Sequence, residues 1–164
     1  MNGGFRLARI TTFLDPWSDA KGDGWQIIQS LYAIGSGGLF GAGLGESKQK
    51  FLYIPEPHND FIFAVLAEEL GFIGCIVVIV LFAILIWRGL LIAIRAKDMF
   101  GSLVAVGITS LVGLQAIMNI AVVTASMPNT GIPLPFFSYG VTALVILLCS
   151  MGILLNISRT AEKV

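Results

Sequence analysis

Three long apolar stretches dominate the chain. Leu70 to Trp87, Gly101 to Val123 and Gly140 to Ile157 contain no charged residue. Each reaches the roughly 18–20 residues that a helix needs to cross a hydrocarbon layer. One such run is compatible with a buried core helix, but three in 164 residues leave too little polar sequence to shield them from water. The pattern predicts an all-α integral membrane protein with transmembrane helices over 61–87, 101–123 and 140–157. The connections are then 88–100 and 124–139, with a 60-residue segment in front, 1–60, and a tail at 158–164.

Within the first segment, Asp23 is suited to N-cap a short amphipathic helix over Gly24 to Ala33, with Ile27, Leu31 and Ile34 on one face. The glycine-rich run Gly35 to Gly45 contains neither G-x-G-x-x-G nor a Gly-Lys-Ser/Thr ending. Two readings stay open for it: backbone that bends sharply and packs closely, or a loop lining a polar cavity. The cluster Glu46, Lys48 and Lys50 is either a solvated face or a contact for a diphosphate. Pro55 and Pro57 keep their surroundings extended, and Asn59 or Asp60 is placed to cap the first span.

Polar residues inside the spans carry further expectations. Glu68 and Glu69 are costly near a membrane boundary and should face water or protein; as consecutive helical residues, they cannot share one cavity. Gln115 and Asn119 share a helix face, where bonding to a neighbouring helix is the favoured reading, and Gly107 and Gly113 permit close packing. Met127 to Gly140 holds three prolines. Irregular backbone at membrane depth survives only when buried in protein or lining a cavity, so this segment is a second candidate wall.

Charge sets the orientation. Arg88, Arg95 and Lys97 lie between the first two runs and Arg159 and Lys163 follow the third, whereas Thr124 to Tyr139 has no basic residue. The positive-inside rule places 88–100 and the C-terminus in the cytoplasm, with 124–139 and everything before Phe61 outside. Met1 to Arg6 offers no secretory h-region, so the expectation is that spans upstream of this chain carry residues 1–60 outward. Ten Lys and Arg balance ten Asp and Glu, which excludes a basic nucleic-acid surface. Cys75 and Cys149 read as small buried apolar residues, without disulfide or metal spacing.

Four motifs follow one another around these runs: Gly41-x-Gly43-x-Gly45-x-Ser47-x-Gln49-Lys50, then Pro55-Glu56-x-His58-x-Asp60-Phe61-Ile62-Phe63-Ala64, then Glu68-Glu69-x-Gly71, then Gly131-Ile132-Pro133-Leu134-Pro135-Phe136-Phe137-Ser138-Tyr139-Gly140. Together they resemble the SEDS family of shape, elongation, division and sporulation proteins, which includes FtsW, RodA and SpoVE. The resemblance covers the chain from about Phe5. Phe13-Leu14-Asp15-Pro16-Trp17 and Asn156-Ile157-Ser158-Arg159 look closest to the division and sporulation branch. Two positions depart from the family pattern: Val141 stands where a second glycine is usual, and Asn59 where threonine is frequent.

The resemblance implies the C-terminal part of a ten-span fold, namely its last large outer loop and spans eight to ten, inactive by itself. It implies a peptidoglycan glycosyltransferase that polymerises lipid II, an undecaprenyl-diphosphate disaccharide-pentapeptide, alongside a class B penicillin-binding protein transpeptidase. Asp60 matches the family's essential acidic residue and is assigned as general base. Lys48 and Lys50 are assigned to the diphosphate, Glu56 and His58 to shaping the loop and orienting Asp60, and Ser138 and Tyr139 to the cavity wall. No metal ligand set or covalently bound cofactor is assigned, and a divalent ion remains an alternative counter-charge. The competing functional classes are a lipid II flippase and a membrane scaffold for the transpeptidase.

Overall fold

The computed structural model describes residues 12–13, 15–19, 24–43, 45, 61–138 and 140–161. Among them all regular structure is helical: a 3-10 turn at Pro16–Asp19, α1 at Trp25–Gly37, α2 at Ile62–Arg95, α3 at Met99–Val123 and α4 at Val141–Thr160. The last three helices are long and apolar enough to cross a membrane.

The second helix runs on past Arg88, because small residues keep its inner face close to α3 while the arginines stay exposed. Gly89 and Ala93 are buried, and a Cβ at Gly89 would overlap the Thr109 side chain. Ala96 to Asp98 then turns the chain, and the Asp98 carboxylate caps α3 by accepting from the Gly101 N–H at 2.7 Å. Of the two α3 glycines expected at close contacts, only Gly113 faces a neighbour, the Ile86 side chain of α2. Gly107 opens on empty space, since a step of about 100° per residue puts positions six apart about 120° from each other round the helix.

Helix α1 begins one residue later than expected and ends four residues further on. Gly24 occupies the cap position and makes no side-chain capping bond; Asp23 lies outside the described residues. The buried stripe is Ile27, Ser30, Ala33 and Gly37, with Ile28 beside it, whereas Leu31 is exposed. Small side chains win that face because they allow close approach. The Ser30 Oγ donates within reach of the Ile27 and Val123 carbonyls, at 2.8 and 3.2 Å, and a Cβ at Gly37 would overlap the Ala67 carbonyl of α2.

One core joins the start of α2 to everything around it. Phe61, Phe63 and Ala64 share a buried cluster with Ala33 of α1, Val112, Val122 and Val123 of α3, and Leu134 of the α3–α4 connection. A smaller cluster of Ala93, Ala105 and Leu154 ties the other end. Leu154 is the one described residue of α4 that is fully enclosed. Of the two cysteines expected to be buried, Cys75 of α2 is, whereas Cys149 is exposed on α4. The remaining apolar faces of the long helices are open to lipid or to further protein.

Helix α2 is not continuous. Gly71 takes φ 68° and ψ −168°, a region essentially reserved for glycine, and separates a half-helix, Ile62 to Leu70, from the long part beginning at Phe72. The stretch after α1 fills the break. Ala42 and Gly43 donate their N–H groups to the Glu68 and Glu69 carbonyls at 2.9 and 3.2 Å, and Phe72 and Ile73 donate to the Gly38 and Leu39 carbonyls at 2.9 and 3.3 Å. Breaking a helix strands carbonyls on one side and N–H groups on the other, and here one short strand takes up both.

Candidate functional site

Of the residues assigned from sequence, Ser138 is described; Asp60, Lys48, Lys50, Glu56, His58 and Tyr139 lie outside the described residues. The site is therefore built from the elements that flank them. Phe61 directly follows Asp60 in the chain and is 2% exposed within the main core. It occupies the α2 cap position expected of Asn59 or Asp60. Its carbonyl accepts from Ala64 and Val65 at 3.0 and 3.4 Å, without a side-chain cap. An aromatic at that position gives up capping in exchange for anchoring, because the ring seals the junction between α1, α3 and Leu134.

The glycine run approaches the same half-helix from the other side. Gly41 has φ 81°, and a Cβ there would overlap the Glu69 carbonyl; a Cβ at Gly71 would overlap the backbone of Leu39 and Gly41. At Gly37 and Gly41 the run is closely packed backbone, the first of its two readings, whereas a Cβ at Gly35, Gly38 or Gly45 would meet nothing within 4 Å. Glu68 is enclosed at 4% exposure and Glu69 only partly so, with one carboxylate oxygen, Oε1, shut off from solvent.

The α3–α4 connection forms a second wall. Asn119, 1% exposed, donates from Nδ2 to the Ile132 carbonyl at 2.8 Å, so its amide ties this irregular segment to α3. Gln115 diverges from it and lines a cavity of about 230 Å³ together with Ser138, Pro133 to Phe136, and the first two turns of α4. The Phe136 and Phe137 ring centroids lie 6.5 and 6.4 Å from that of Phe82, which brings the segment against the middle of α2. Val141, the residue departing from the family's glycine, takes ordinary helical geometry at the start of α4 and is exposed, so the substitution costs no backbone strain.

The break at Gly71 is the feature that sequence reasoning did not foresee, although Gly71 closes the Glu68-Glu69-x-Gly71 motif. The signal was present as a single glycine two residues after Glu69, inside an otherwise unbroken apolar pattern. Among the described residues, no three His, Cys, Asp or Glu side chains come together as a metal site.

A family model described as cell cycle protein, covering FtsW, RodA and SpoVE, matches residues 1–163. Stage V sporulation protein E of Bacillus subtilis (strain 168) is 58% identical over 155 residues, which is 94% of this chain and 42% of that protein. The probable peptidoglycan glycosyltransferase FtsW of Geobacter sp. (strain M18) is 55% identical over 154 residues, again 94% of this chain and 42% of the relative. Among solved structures, a peptidoglycan synthase complex that coordinates polymerization and crosslinking matches with a TM-score of 0.74 at 32% identity, over 94% of this chain and 42% of that one. The chain thus spans well under half the length of the relatives it matches.

Proposed function

The chain belongs to the FtsW, RodA and SpoVE family of multi-pass membrane proteins, and on that premise we propose that it supplies the catalytic carboxylate of a peptidoglycan glycosyltransferase acting on lipid II. A sugar hydroxyl of one substrate attacks the anomeric carbon of another. The new O–C bond forms as the bond from that carbon to the lipid diphosphate breaks. The hydroxyl proton passes to Asp60, because an unassisted alcohol is a poor nucleophile. Lys48 and Lys50 face the departing diphosphate, Glu56 and His58 orient Asp60, and Ser138 and Tyr139 belong to the wall. Whether a divalent ion shares the neutralisation with the lysines is read by adding a chelator and restoring magnesium.

The observation that carries this reading is the anchoring of Phe61. Among the described residues Phe61 is the bulkiest side chain that is fully enclosed, and it stands at the end of α2 remote from Arg88 and Arg95. Ser158 and Ala161 border the same groove as those two arginines, which gathers the basic residues at one end of the bundle. That end is assigned to the cytoplasm, together with the C-terminus, and the Phe61 end to the outer surface where lipid II presents its sugars. A class B penicillin-binding protein is the proposed partner. It fits the complex of polymerization and crosslinking that the solved relative forms.

The test is Asp60→Asn in a full-length family protein carrying these 164 residues, purified with its partner and supplied with lipid II. Polymerisation should fall by roughly 10²- to 10⁴-fold, the usual worth of a positioned general base. Retained polymerisation removes Asp60 from that role. Movement of labelled lipid II across vesicles with polymerisation blocked would instead point to a transporter.

A further inference from the structure

We infer that Gly41 and Gly71 are positioning residues: they clip the half-helix Ile62–Leu70 to the glycine strand, so that the start of α2 is oriented by the strand and not by the rest of its own helix. This rests on the proposed function, since it takes Asp60 to be the base. A continuous α2 would fix the direction of its first turn through the i to i−4 ladder. The Gly71 break removes that constraint. What replaces it, beside the core packing of Phe61, Phe63 and Ala64, is the set of four main-chain hydrogen bonds that Ala42 and Gly43 make to the half-helix, and that Phe72 and Ile73 make to the strand.

The fit leaves no room for adjustment. At Gly41, a Cβ meets the Glu69 carbonyl; at Gly71, it meets the Gly41 N and the Leu39 carbonyl, all of them backbone atoms that cannot rotate away. Both glycines also hold positive φ, at 81° and 68°. Any side chain at either position must therefore push the half-helix off the strand. Phe61 begins that half-helix, and Asp60 is one peptide step, about 3.8 Å between Cα atoms, before it. A small rotation of the half-helix is thus passed on directly to the base. The glycines touch neither substrate nor reacting atoms; they act through the element that carries the base.

The experiment compares Gly41→Ala and Gly71→Ala with Gly35→Ala, whose Cβ meets nothing within 4 Å, in the full-length partnered enzyme. Both clip variants should lose kcat by about 10²-fold while KM for lipid II stays within about threefold, as expected of a misplaced catalytic group with intact substrate binding. Gly35→Ala should retain wild-type kinetics. Hydrogen exchange supplies a readout independent of activity: peptides containing Ala42, Gly43, Phe72 and Ile73 should be protected in the wild type and lose protection in both variants. Folded clip variants with unchanged kcat would overturn the inference. If the variants do not fold, the wild-type exchange decides, and free-peptide rates at those four amides overturn it equally. Activity surviving Asp60→Asn would sink the base assignment while leaving the exchange result standing, so the two failures are told apart.

Discussion

The two irregular segments of this fold meet the same difficulty in opposite ways. Both run against membrane-length helices, where backbone N–H and C=O groups need partners. The strand Gly38–Gly43 keeps its N–H groups and matches them to a helix that breaks to receive them. The connection from Pro128 to Ser138 removes donors instead, through Pro128, Pro133 and Pro135, and relies on side chains such as Asn119 on the Ile132 carbonyl. Depth separates them as well. The connection reaches Phe82, eleven residues beyond Gly71 and therefore about 16 Å further along α2. Deep in the bundle, satisfaction itself is obligatory. The first solution tolerates no added Cβ at Gly41 or Gly71, and the second combines the Asn119 amide with local bonds such as those from the Phe137 and Ser138 N–H groups to the Leu134 carbonyl.

That contrast ranks the substitutions. Gly37→Leu should be the most damaging, because its Cβ overlaps the Ala67 carbonyl and the helix α1 that seats the strand has to move. A loss of about 3 kcal/mol is expected from overpacking against backbone, measured by unfolding of the full-length protein in detergent. A loss below about 1 kcal/mol would mean that the seat is soft. Asn119→Leu should cost less, about 0.6 kcal/mol and at most about 1.7 kcal/mol, the average and maximum found for side-chain hydrogen bonds inside a membrane protein. It should also raise the labelling rate of a Ser138→Cys reporter. An unchanged labelling rate would show that the prolines hold the connection without the amide.

How far these features were legible depended on which physical signal carried them. The three spans were visible because an uncharged run of membrane length is hard to shelter anywhere but in lipid. The irregular course of the α3–α4 connection was visible because its three prolines do not fit inside a regular helix. The Gly71 break was not, since apolar residues continue on both sides and a lone glycine inside a helix pattern is usually tolerated. Periodicity grouped Ile27, Leu31 and Ile34 on one face of α1, yet the face that packs inward carries Ile27, Ser30, Ala33 and Gly37. Periodicity weighs apolar character, whereas close helix packing here selects small size. Gln115 and Asn119 shared a face in the pattern but went to different targets, because the irregular segment passes one of them at hydrogen-bonding distance and opens a cavity beside the other.

The smallest expected effect probes whether the two segments form one unit. Helix α1 touches both: Gly37 seats the glycine strand, and near the other end the Asn129 Nδ2 donates to the Gln26 Oε1 at 3.2 Å. Gln26→Ala removes that link alone, since Asn129 still accepts from the Gly131 N–H at 3.1 Å within its own turn. A single neutral, half-buried hydrogen bond of this length is worth about 0.5 kcal/mol. The exchange protection of Ala42 and Gly43 should not change, because their acceptors belong to Glu68 and Glu69, on the far side of α1 from Gln26 in the chain of contacts. If protection at those amides drops with Gln26→Ala, the strand and the connection are coupled through α1, and the contrast between two separate solutions gives way to one continuous frame around Phe61.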